Sequence, residues 1–276
     1  MPELPEVRAH AERLTAAFTG AAIERFEPLA FTVLRTVTPA PEATAGLELR
    51  GVGQRGKLLL LDLGALTFVV HLMQGGRLRP HLAPTGRPRG GQARWVLADG
   101  RTLLLTEPGR ERKAGVWCVA GDPLGQPPLD RLGPDADTVG RDELGERFAG
   151  ARARLHGFLR DQHQLAGIGR RLADEIAHRA RLSPFTTRLD ADRLDRLHAA
   201  VGEIIAESLA FERAQHEMVA AAARPVAVHG RAGAACPVCG DTIGAVEYRT
   251  YTIAYCPACQ TGGRILADNT TSRFLR

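Results

Sequence analysis

Cys236-Pro237-Val238-Cys239 and Cys256-Pro257-Ala258-Cys259 are two C-x-x-C pairs, separated by 16 residues. Each pair can close on one metal ion, and a hairpin between the pairs would bring the four thiolates into a tetrahedron. This is the ligand pattern of a structural zinc site. The stretch therefore predicts a C-terminal module that folds around one Zn²⁺ per chain, with Cys236, Cys239, Cys256 and Cys259 as ligands.

Disulfides are the alternative to a metal, and the cellular compartment decides between them. The sequence contains no signal peptide, no run of 18 apolar residues and no lipidation motif. We therefore expect no membrane contact and a reducing cytosol, where thiols bind metal. The fifth cysteine, Cys118, lies in the apolar run 116–120 and is predicted to be a small buried hydrophobe.

The N-terminus can place an amine beside a carboxylate. Pro2 is small, which permits removal of Met1 and would leave a free secondary amine. An α-amino group titrates at about pH 8, so a useful fraction is neutral and can attack a sugar C1′ or a carbonyl carbon. Glu3 would then donate or accept a proton. The alternative is an ordinary N-terminal arm, and with Met1 attached the Pro2 nitrogen is an amide and no nucleophile.

Basic residues cluster in two regions. The formal net charge is +5; residues 77–113 hold nine basic and three acidic residues, and residues 224–276 hold six and three. This distribution indicates a groove for a polyanion, although a merely soluble basic surface would give the same charge. Two of the 36 basic residues are lysines. One of them, Lys57, precedes an apolar run, where its ammonium could bind a phosphate or protect a strand edge.

Apolar patterning predicts a helix over residues 7–18 and then strands up to residue 120. The expected strands are 58–63 and 66–72 in one hairpin, 94–97 and 102–106 in a second, and 116–120. Such strands are typical of a sandwich or barrel. Residues 79–92 are predicted to be a loop and residues 121–138 a linker, because proline and glycine interrupt them.

Residues 142–223 are predicted to be helical. Apolar residues recur at helical spacing from Leu194 to Leu209, with Asp190 or Asp192 as the expected N-cap. Another helix begins at Leu155. Gly167-Ile168-Gly169 interrupts the pattern, and a helix that starts after such a loop can direct backbone N–H groups at a phosphate.

These motifs together resemble the formamidopyrimidine-DNA glycosylase and endonuclease VIII family, in one order along nearly the whole chain. The N-terminal motif and the four-cysteine module are the most specific. The matching stretches are Pro2–Val7, Arg55–Leu60, Val70–Leu72, Leu132–Pro134, Leu165–Gly169, His229–Arg231 and Tyr255–Gln260. The tail from Gly262 to Arg276 resembles an actinobacterial-type branch.

The resemblance implies an α+β multidomain fold. Its parts would be an N-terminal β-sandwich catalytic domain (1–133), a helix-two-turn-helix DNA-binding domain (134–223) and a C-terminal four-cysteine zinc finger with an extension (230–276). The expected partner is double-stranded DNA that contains a damaged base or abasic site, bound between the domains. We expect a monomer in the cytoplasm, associated with the nucleoid.

The resemblance also implies a reaction. Pro2 would displace a damaged base extruded from the duplex and form a Schiff base with the opened deoxyribose, with Glu3 as acid and base. β,δ-Elimination would then cut the strand on both sides. Lys57, carried over as a catalytic residue, and His71 would hold phosphate near the lesion. Glu6 would lie near the base pocket.

Two positions depart from the family pattern at the phosphate contacts. Arg170, which follows Gly169, stands where the family has an asparagine. Tyr251 stands where the family has a finger arginine, and Arg249 could reach in its place.

A third departure concerns the residues that fill the vacated base stack, usually a methionine, an arginine and a phenylalanine. The candidates here are Met73, Gln74 and either Arg110 or Arg112, without a matching phenylalanine.

These departures leave three hypotheses. The first is a bifunctional DNA glycosylase and abasic-site lyase. The second is a catalytically silent relative that binds damaged or abasic DNA, and the third is a zinc-finger nucleic-acid binder outside repair. Retention of Pro2, Glu3, Glu6 and Lys57 favours the first, because binding alone needs no amine–carboxylate pair.

Overall fold

The apolar runs of the first 120 residues form two four-stranded antiparallel sheets in the computed structural model, which describes residues 1–81, 86, 88–109 and 111–267. The strands are β1 (Ile23–Pro28), β2 (Gly51–Arg55), β3 (Leu58–Asp62), β4 (Leu66–His71), β5 (Arg77–His81), β6 (Gly91–Leu97), β7 (Thr102–Thr106) and β8 (Gly115–Ala120). One sheet has the order β1-β6-β7-β5 and the other β2-β3-β4-β8.

Both predicted hairpins are present, as β3 with β4 and β6 with β7. The predicted loop over residues 79–92 is wrong at both ends, because residues 79–81 belong to β5 and β6 begins at Gly91. β5 is an edge strand. A proline such as Pro80 is compatible with an edge strand, because a residue without an N–H can face the open edge.

The two sheets share one core, so the predicted sandwich is confirmed. The ring centroid of Phe68, on β4, lies 5.0 Å from that of Phe26 and 5.5 Å from that of Trp95, both on the other sheet. The first helix, α1 (Leu4–Phe18), adds Val7 and other apolar residues to the same cluster. The core therefore fixes the helix that begins at the N-terminal motif.

The chain from residue 141 to 213 is mainly helical: α2 (Arg141–Ala151), α3 (Leu155–Arg160), α4 (Arg170–Arg179) and α5 (Ala191–Arg213). Asp190 is the N-cap of α5, because its Oδ1 accepts a hydrogen bond from Arg193 N at 2.9 Å. The cysteine module contains the hairpin of β9 (Gly244–Glu247) and β10 (Thr252–Tyr255), followed by α6 (Pro257–Thr261).

The chain divides into two compact units, residues 1–132 with 212–221 and residues 133–211 with 222–276. The finer division into three domains, at 1–133, 134–223 and 230–276, stays a prediction. Within the described part of the chain, no helix has the length and apolar character needed to cross a membrane.

His10 is a buried titratable group of α1. Its Nε2 lies 2.7 Å from the carbonyl oxygen of Leu78, which can only accept, so Nε2 carries the proton. Burial lowers the pKa of His10 from 6.5 to about 4. Between about pH 6.5 and pH 4, His10 is protonated in the unfolded chain but neutral in the folded unit. The free energy of unfolding therefore falls as the pH falls through this range.

We expect His10→Gln to weaken this acid sensitivity while keeping a donor for Leu78. The pKa difference of His10 corresponds to about 3 kcal/mol of unfolding free energy, which the parent loses between about pH 7 and pH 4. Over the same range, the unfolding free energy of the variant should fall by about 3 kcal/mol less than that of the parent. Urea unfolding followed by tryptophan fluorescence measures the effect, because the two tryptophans, Trp95 and Trp117, both lie in the first unit. His163→Gln, in the second unit, is the control. An equally steep pH dependence in His10→Gln and the parent would contradict this assignment.

Candidate active site

The N-terminal motif forms the start of α1 and contains the predicted catalytic residues Pro2 and Glu3. Glu3 is the N-cap residue, and Glu6 is the third residue of the helix. Glu6 Oε2 accepts a hydrogen bond from Glu3 N at 2.6 Å, and the Glu3 side chain with the Glu6 backbone completes a capping box. Pro5 fits the first turn, where an N–H has no partner within the helix. The motif is therefore a helix start and not an ordinary arm.

The two carboxylates are shielded from water. Glu3 is 4% exposed and Glu6 is fully buried, and Pro2 is buried beside them. Met1, by contrast, is 45% exposed. Removal of Met1 would leave the Pro2 nitrogen in a buried setting next to an acid, where electrostatic interactions are stronger than in water.

Lys57 and His71 lie close together at one end of β3 and β4. Lys57 is buried in the turn before β3, and the next residue, Leu58, pairs with His71. Burial, helped by the positive charge of Lys57, lowers the pKa of His71 to about 4, so the imidazole is neutral at cellular pH. Its Nδ1 accepts a hydrogen bond from Met73 N at 3.1 Å. The proton of the neutral ring is therefore on Nε2, which is a donor.

A tight turn after β4 carries Met73 and Gln74. Met73 has φ 53°, in the left-handed region that residues other than glycine seldom adopt. Gly76 N donates to Leu72 O at 2.9 Å and closes the turn. A Cβ on Gly76 would lie 2.0 Å from that oxygen, so the turn requires glycine there.

This turn lies beside a second loop, which the structure describes at residues 107–109 and 111–113. A Cβ on Gly75 would be in ordinary contact with the Pro108 side chain, at 3.5 Å. The buried carboxylate of Glu107 closes the loop, because its Oε2 accepts from Lys113 N at 2.6 Å and from Ala114 N at 2.7 Å. The sequence did not predict this role of Glu107. Its partners are backbone N–H groups, which every residue other than proline carries, so no residue type identifies them.

The two loops hold the predicted stack-filling residues. Arg112 is exposed, and its Nε donates to the Gly109 carbonyl oxygen at 3.4 Å. Arg110 lies outside the described residues. The structure therefore brings Met73, Gln74 and the loop of Arg112 to neighbouring positions.

In the second unit, the ring of Tyr251 lies within a stack. The Tyr248 ring is 4.7 Å from it at an interplanar angle of 11°, and the His156 ring is 6.1 Å from it at 10°. Tyr248 N donates to Tyr251 O at 2.8 Å across the turn between β9 and β10. Arg249, in the same turn, is exposed.

Two guanidinium groups lie over the Tyr251 ring. The Arg160 carbon Cζ is 4.3 Å from the ring centroid, and that of Arg170 is 5.6 Å from it. Arg170 is the exposed first residue of α4, after the N-cap Gly169. A guanidinium held over an aromatic face keeps in-plane N–H donors for an anion. The two residues that depart from the family's phosphate contacts are thus in contact with each other.

Two acidic residues of α4, which sequence reasoning missed, hold the segment before the cysteines. The Glu175 carboxylate accepts hydrogen bonds from the N–H groups of residues 227, 228 and 229 at 2.7–3.0 Å. Asp174 is buried between two histidines, with Oδ2 2.7 Å from His229 Nδ1 and Oδ1 3.2 Å from His156 Nε2. The contacts with residues 227 to 229 join positions 52 to 55 residues apart, so no local sequence pattern predicts them.

The four predicted cysteine ligands lie together. Cys239 Sγ is 3.4 Å from the Sγ atoms of Cys256 and Cys259, and Cys236 Sγ is 4.0 Å from that of Cys259. Ligand sulfurs around a tetrahedral zinc are about 3.8 Å apart, so these residues fit the ion. Burial raises the pKa of Cys256 and of Cys259, so a cation is needed to hold both as thiolates at neutral pH.

His178 is a further donor that sequence reasoning did not identify. Its Nε2 lies 3.4 Å from Cys236 Sγ. The donor atoms of His178, Cys236, Cys256 and Cys259 all lie within 4.8 Å of one another. None of the five cysteines, all of which lie in the described part of the chain, forms a disulfide, and Cys118 is buried as predicted.

Comparison with known proteins gives a consistent result. Residues 1–116 match the family model of the formamidopyrimidine-DNA glycosylase N-terminal domain. The formamidopyrimidine-DNA glycosylase of Alkalilimnicola ehrlichii is 34% identical over 94% of this chain and 100% of its own length. The crystal structure of the MutM (Fpg) protein of Thermus thermophilus is 29% identical, with a TM-score of 0.79 over 94% of this chain and 98% of its own. The Lactococcus lactis Fpg, in complex with DNA that contains an abasic site, shares the fold at 19% identity, with a TM-score of 0.81 over 94% of this chain and 99% of its own.

The turn after β4 gives a prediction with a matched pair of variants. Gly76→Ala should lower the free energy of unfolding by more than about 2 kcal/mol, because the new Cβ would displace the Leu72 carbonyl. Gly75→Ala makes the same change one residue earlier, where the Cβ has room, and should cost less than about 1 kcal/mol. Urea unfolding followed by tryptophan fluorescence at neutral pH compares them. Equal effects would contradict the geometry of the turn.

Proposed function

The chain belongs to the formamidopyrimidine-DNA glycosylase family, and we propose that it excises damaged bases from duplex DNA and cleaves the abasic site that results. Pro2 would be the nucleophile, Glu3 the acid and base, and Lys57 a further catalytic residue. The observation that carries the proposal is the buried start of α1, where Pro2 precedes two carboxylates linked by a capping box. A protein that only binds DNA has no need of this arrangement.

The chemistry follows from these groups. Once Met1 is removed, the Pro2 nitrogen attacks C1′ of the damaged nucleotide and the bond between C1′ and the base breaks. Glu3 supplies a proton as the sugar ring opens, which leaves an iminium between Pro2 and C1′. The iminium acidifies the C2′ proton. Its removal expels the 3′ phosphate, and a second elimination expels the 5′ phosphate.

Lys57 and His71 would hold the phosphate beside the reacting sugar by different means. Lys57 offers an ammonium charge. His71 is neutral at cellular pH and offers the Nε2 proton as a hydrogen-bond donor. Glu6, buried and bonded to Glu3 N, would fix the direction of the backbone near the base pocket.

The second unit would contact the DNA backbone through the cluster over Tyr251. Arg170 has its guanidinium over the ring and lies at the N-terminus of α4, where backbone N–H groups also favour an anion. Gly169 would let the backbone approach the phosphate. Arg249 adds a positive charge on the exposed turn of the hairpin.

The two loops of the first unit would enter the gap that the extruded base leaves. Met73, Gln74 and Arg112 are the candidates that the structure describes, and Arg110 remains a candidate from the sequence. The left-handed conformation of Met73 supports this role, because such strain is found most often where a side chain has a function.

We assign the four cysteines to one structural Zn²⁺ per chain. Cys236, Cys239, Cys256 and Cys259 would hold it, and the ion would supply folding free energy to the hairpin that carries Tyr251 and Arg249. We further propose that the protein acts as a monomer in the cytoplasm, on nucleoid DNA.

A catalytically silent relative is the second candidate, because Arg170 and Tyr251 differ from the family pattern. Such a protein would keep the phosphate contacts but form no covalent intermediate. The two candidates therefore differ in one observable, a covalent bond between Pro2 and abasic DNA.

Borohydride trapping on abasic DNA tests the nucleophile, with removal of Met1 verified by mass spectrometry. The parent should form a covalent adduct. Glu3→Gln should slow base release by at least about 10²-fold, since acid–base catalysis contributes that much or more, while its amide oxygen still caps α1. Pro2→Gly should trap weakly at most, through its own N-terminal amine. Binding to duplex DNA should stay nearly unchanged in both.

Glu48→Gln, an exposed residue of the same unit, is the matched control and should behave as the parent. Undiminished trapping by Pro2→Gly would exclude Pro2 as the nucleophile. A parent that binds abasic DNA without forming an adduct would favour the silent relative.

Salt-titrated DNA binding tests Arg170. Arg170→Ala should weaken binding to damaged and undamaged duplexes alike and lower the log–log salt slope by about one, because a phosphate contact carries no base information. Arg170→Asn should retain much of the affinity. Tyr251→Phe, which keeps the ring, should bind as the parent, and Tyr251→Leu should behave as Arg170→Ala.

Arg188→Ala, which removes an equal charge from an exposed position, is the control. An unchanged slope in Arg170→Ala would rule out the phosphate role. A changed preference among lesions with an unchanged slope would instead assign Arg170 to the base pocket.

A further inference from the structure

The cysteine module has one more metal donor than a tetrahedral ion needs. Besides the four thiols, His178 directs Nε2 to within 3.4 Å of Cys236 Sγ. From zinc bond lengths, nitrogen and sulfur ligands of a tetrahedral site lie about 3.5 Å apart, so this distance suits two ligands of one ion. His178, Cys236, Cys256 and Cys259 form a complete four-donor set without Cys239.

The position of the imidazole is fixed by the packing of α4 against the module. His178 lies in the last turn of α4 and is 5% exposed. The Gln260 side chain joins α6 to the end of this helix, because it donates to Leu182 O at 2.8 Å and accepts from Cys256 N at 2.8 Å. One turn earlier, Glu175 binds the segment that leads to Cys236. The ring is therefore held at the thiols by contacts that do not depend on Cys239.

Cys239 is also the thiol that solvent reaches most easily. It is exposed, whereas Cys236 and Cys256 are buried and Cys259 is half-buried. Exposed thiolates are oxidised and alkylated first. The ligand most open to damage is thus the one that the four-donor set of His178 leaves out.

We propose that His178 is a reserve zinc ligand that replaces Cys239 when that thiolate is oxidised. The proposal rests on the structural zinc site assigned under the proposed function. A peroxide takes two electrons from the Cys239 sulfur, which gains a hydroxyl group as sulfenic acid, and hydroxide leaves. The sulfur then leaves the zinc, and the lone pair of His178 Nε2, in the tautomer with its proton on Nδ1, takes the vacant position. The ion and the fold of the hairpin are kept.

Cobalt substitution in the full-length chain tests the reserve ligand. The parent and His178→Phe should each bind one Co²⁺ with a four-thiolate spectrum. Cys239→Ser should still bind one ion, with thiolate-to-cobalt absorption lower by about a quarter because one of four thiolates is gone. The double variant, with both Cys239→Ser and His178→Phe, should bind Co²⁺ at least about 100-fold more weakly than Cys239→Ser alone. Cys256→Ser, which removes a member of the compact His178 set, should bind the ion more weakly than Cys239→Ser.

Two results would overturn the proposal. In the first, Cys239→Ser binds Co²⁺ no better than Cys256→Ser does. In the second, Cys239→Ser and the double variant have the same affinity for Co²⁺ and the same spectrum. A parent that binds no metal would instead refute the four-cysteine site itself, which separates the two failures. The glycosylase assignment is tested separately by trapping.

Zinc release after addition of peroxide tests the same point without removing a cysteine, in case a variant fails to fold. With about one equivalent of peroxide, the parent should retain its zinc and His178→Phe should release it to a chromogenic chelator. Release at the same rate from both proteins would contradict the reserve role.

Discussion

The hydrogen bond from Glu3 N to Glu6 Oε2 is the contact on which the chemistry proposed for the first unit depends. It fixes the direction of the chain at the point where α1 begins, and α1 is in turn fixed by its apolar face in the core of the sandwich. Residue 2 is one peptide bond from this anchored position. A group at a chain end is ordinarily among the most mobile of a protein, and here burial and the capping box restrain Pro2, the nucleophile that we propose.

In the second unit, α4 has a comparable role, with contacts spread along its length. Arg170 at its first turn lies over Tyr251, Asp174 and Glu175 bind two histidines and three backbone N–H groups, and His178 at its last turn approaches Cys236. One helix therefore positions the proposed phosphate contact, the segment before the module and the proposed metal donor His178.

The sequence predicted the features that local physics determines. Apolar runs on either side of an Asp-Gly turn predicted a hairpin, and Asp190 was one of two predicted N-caps. The C-x-x-C spacing predicted that the four thiols lie together. β5 was missed because its proline indicated a loop, and only its edge position, which depends on the whole sheet, makes that proline acceptable. Glu107 and His178 were missed because their partners are a backbone segment and a thiol 58 residues away, and neither leaves a periodic pattern. The metal set, the catalytic residues and the domain limits remain predictions of the sequence.

The contact between Arg170 and Tyr251 changes how these two residues are understood. From the sequence they were two separate departures, an arginine in place of an asparagine and a tyrosine in place of an arginine. With an arginine at position 170, a second arginine at position 251 would add a like charge beside Arg160 and Arg170, which repel each other already. A tyrosine there adds no charge, and its face attracts both guanidinium groups. The start of α4 thus carries a positive charge beside the hairpin, in addition to that of Arg249, and the Tyr251 ring supplies the surface that orients the Arg170 guanidinium. The tyrosine at position 251 therefore suits the arginine at position 170, and we infer that the two departures are one coupled change in the proposed phosphate contact.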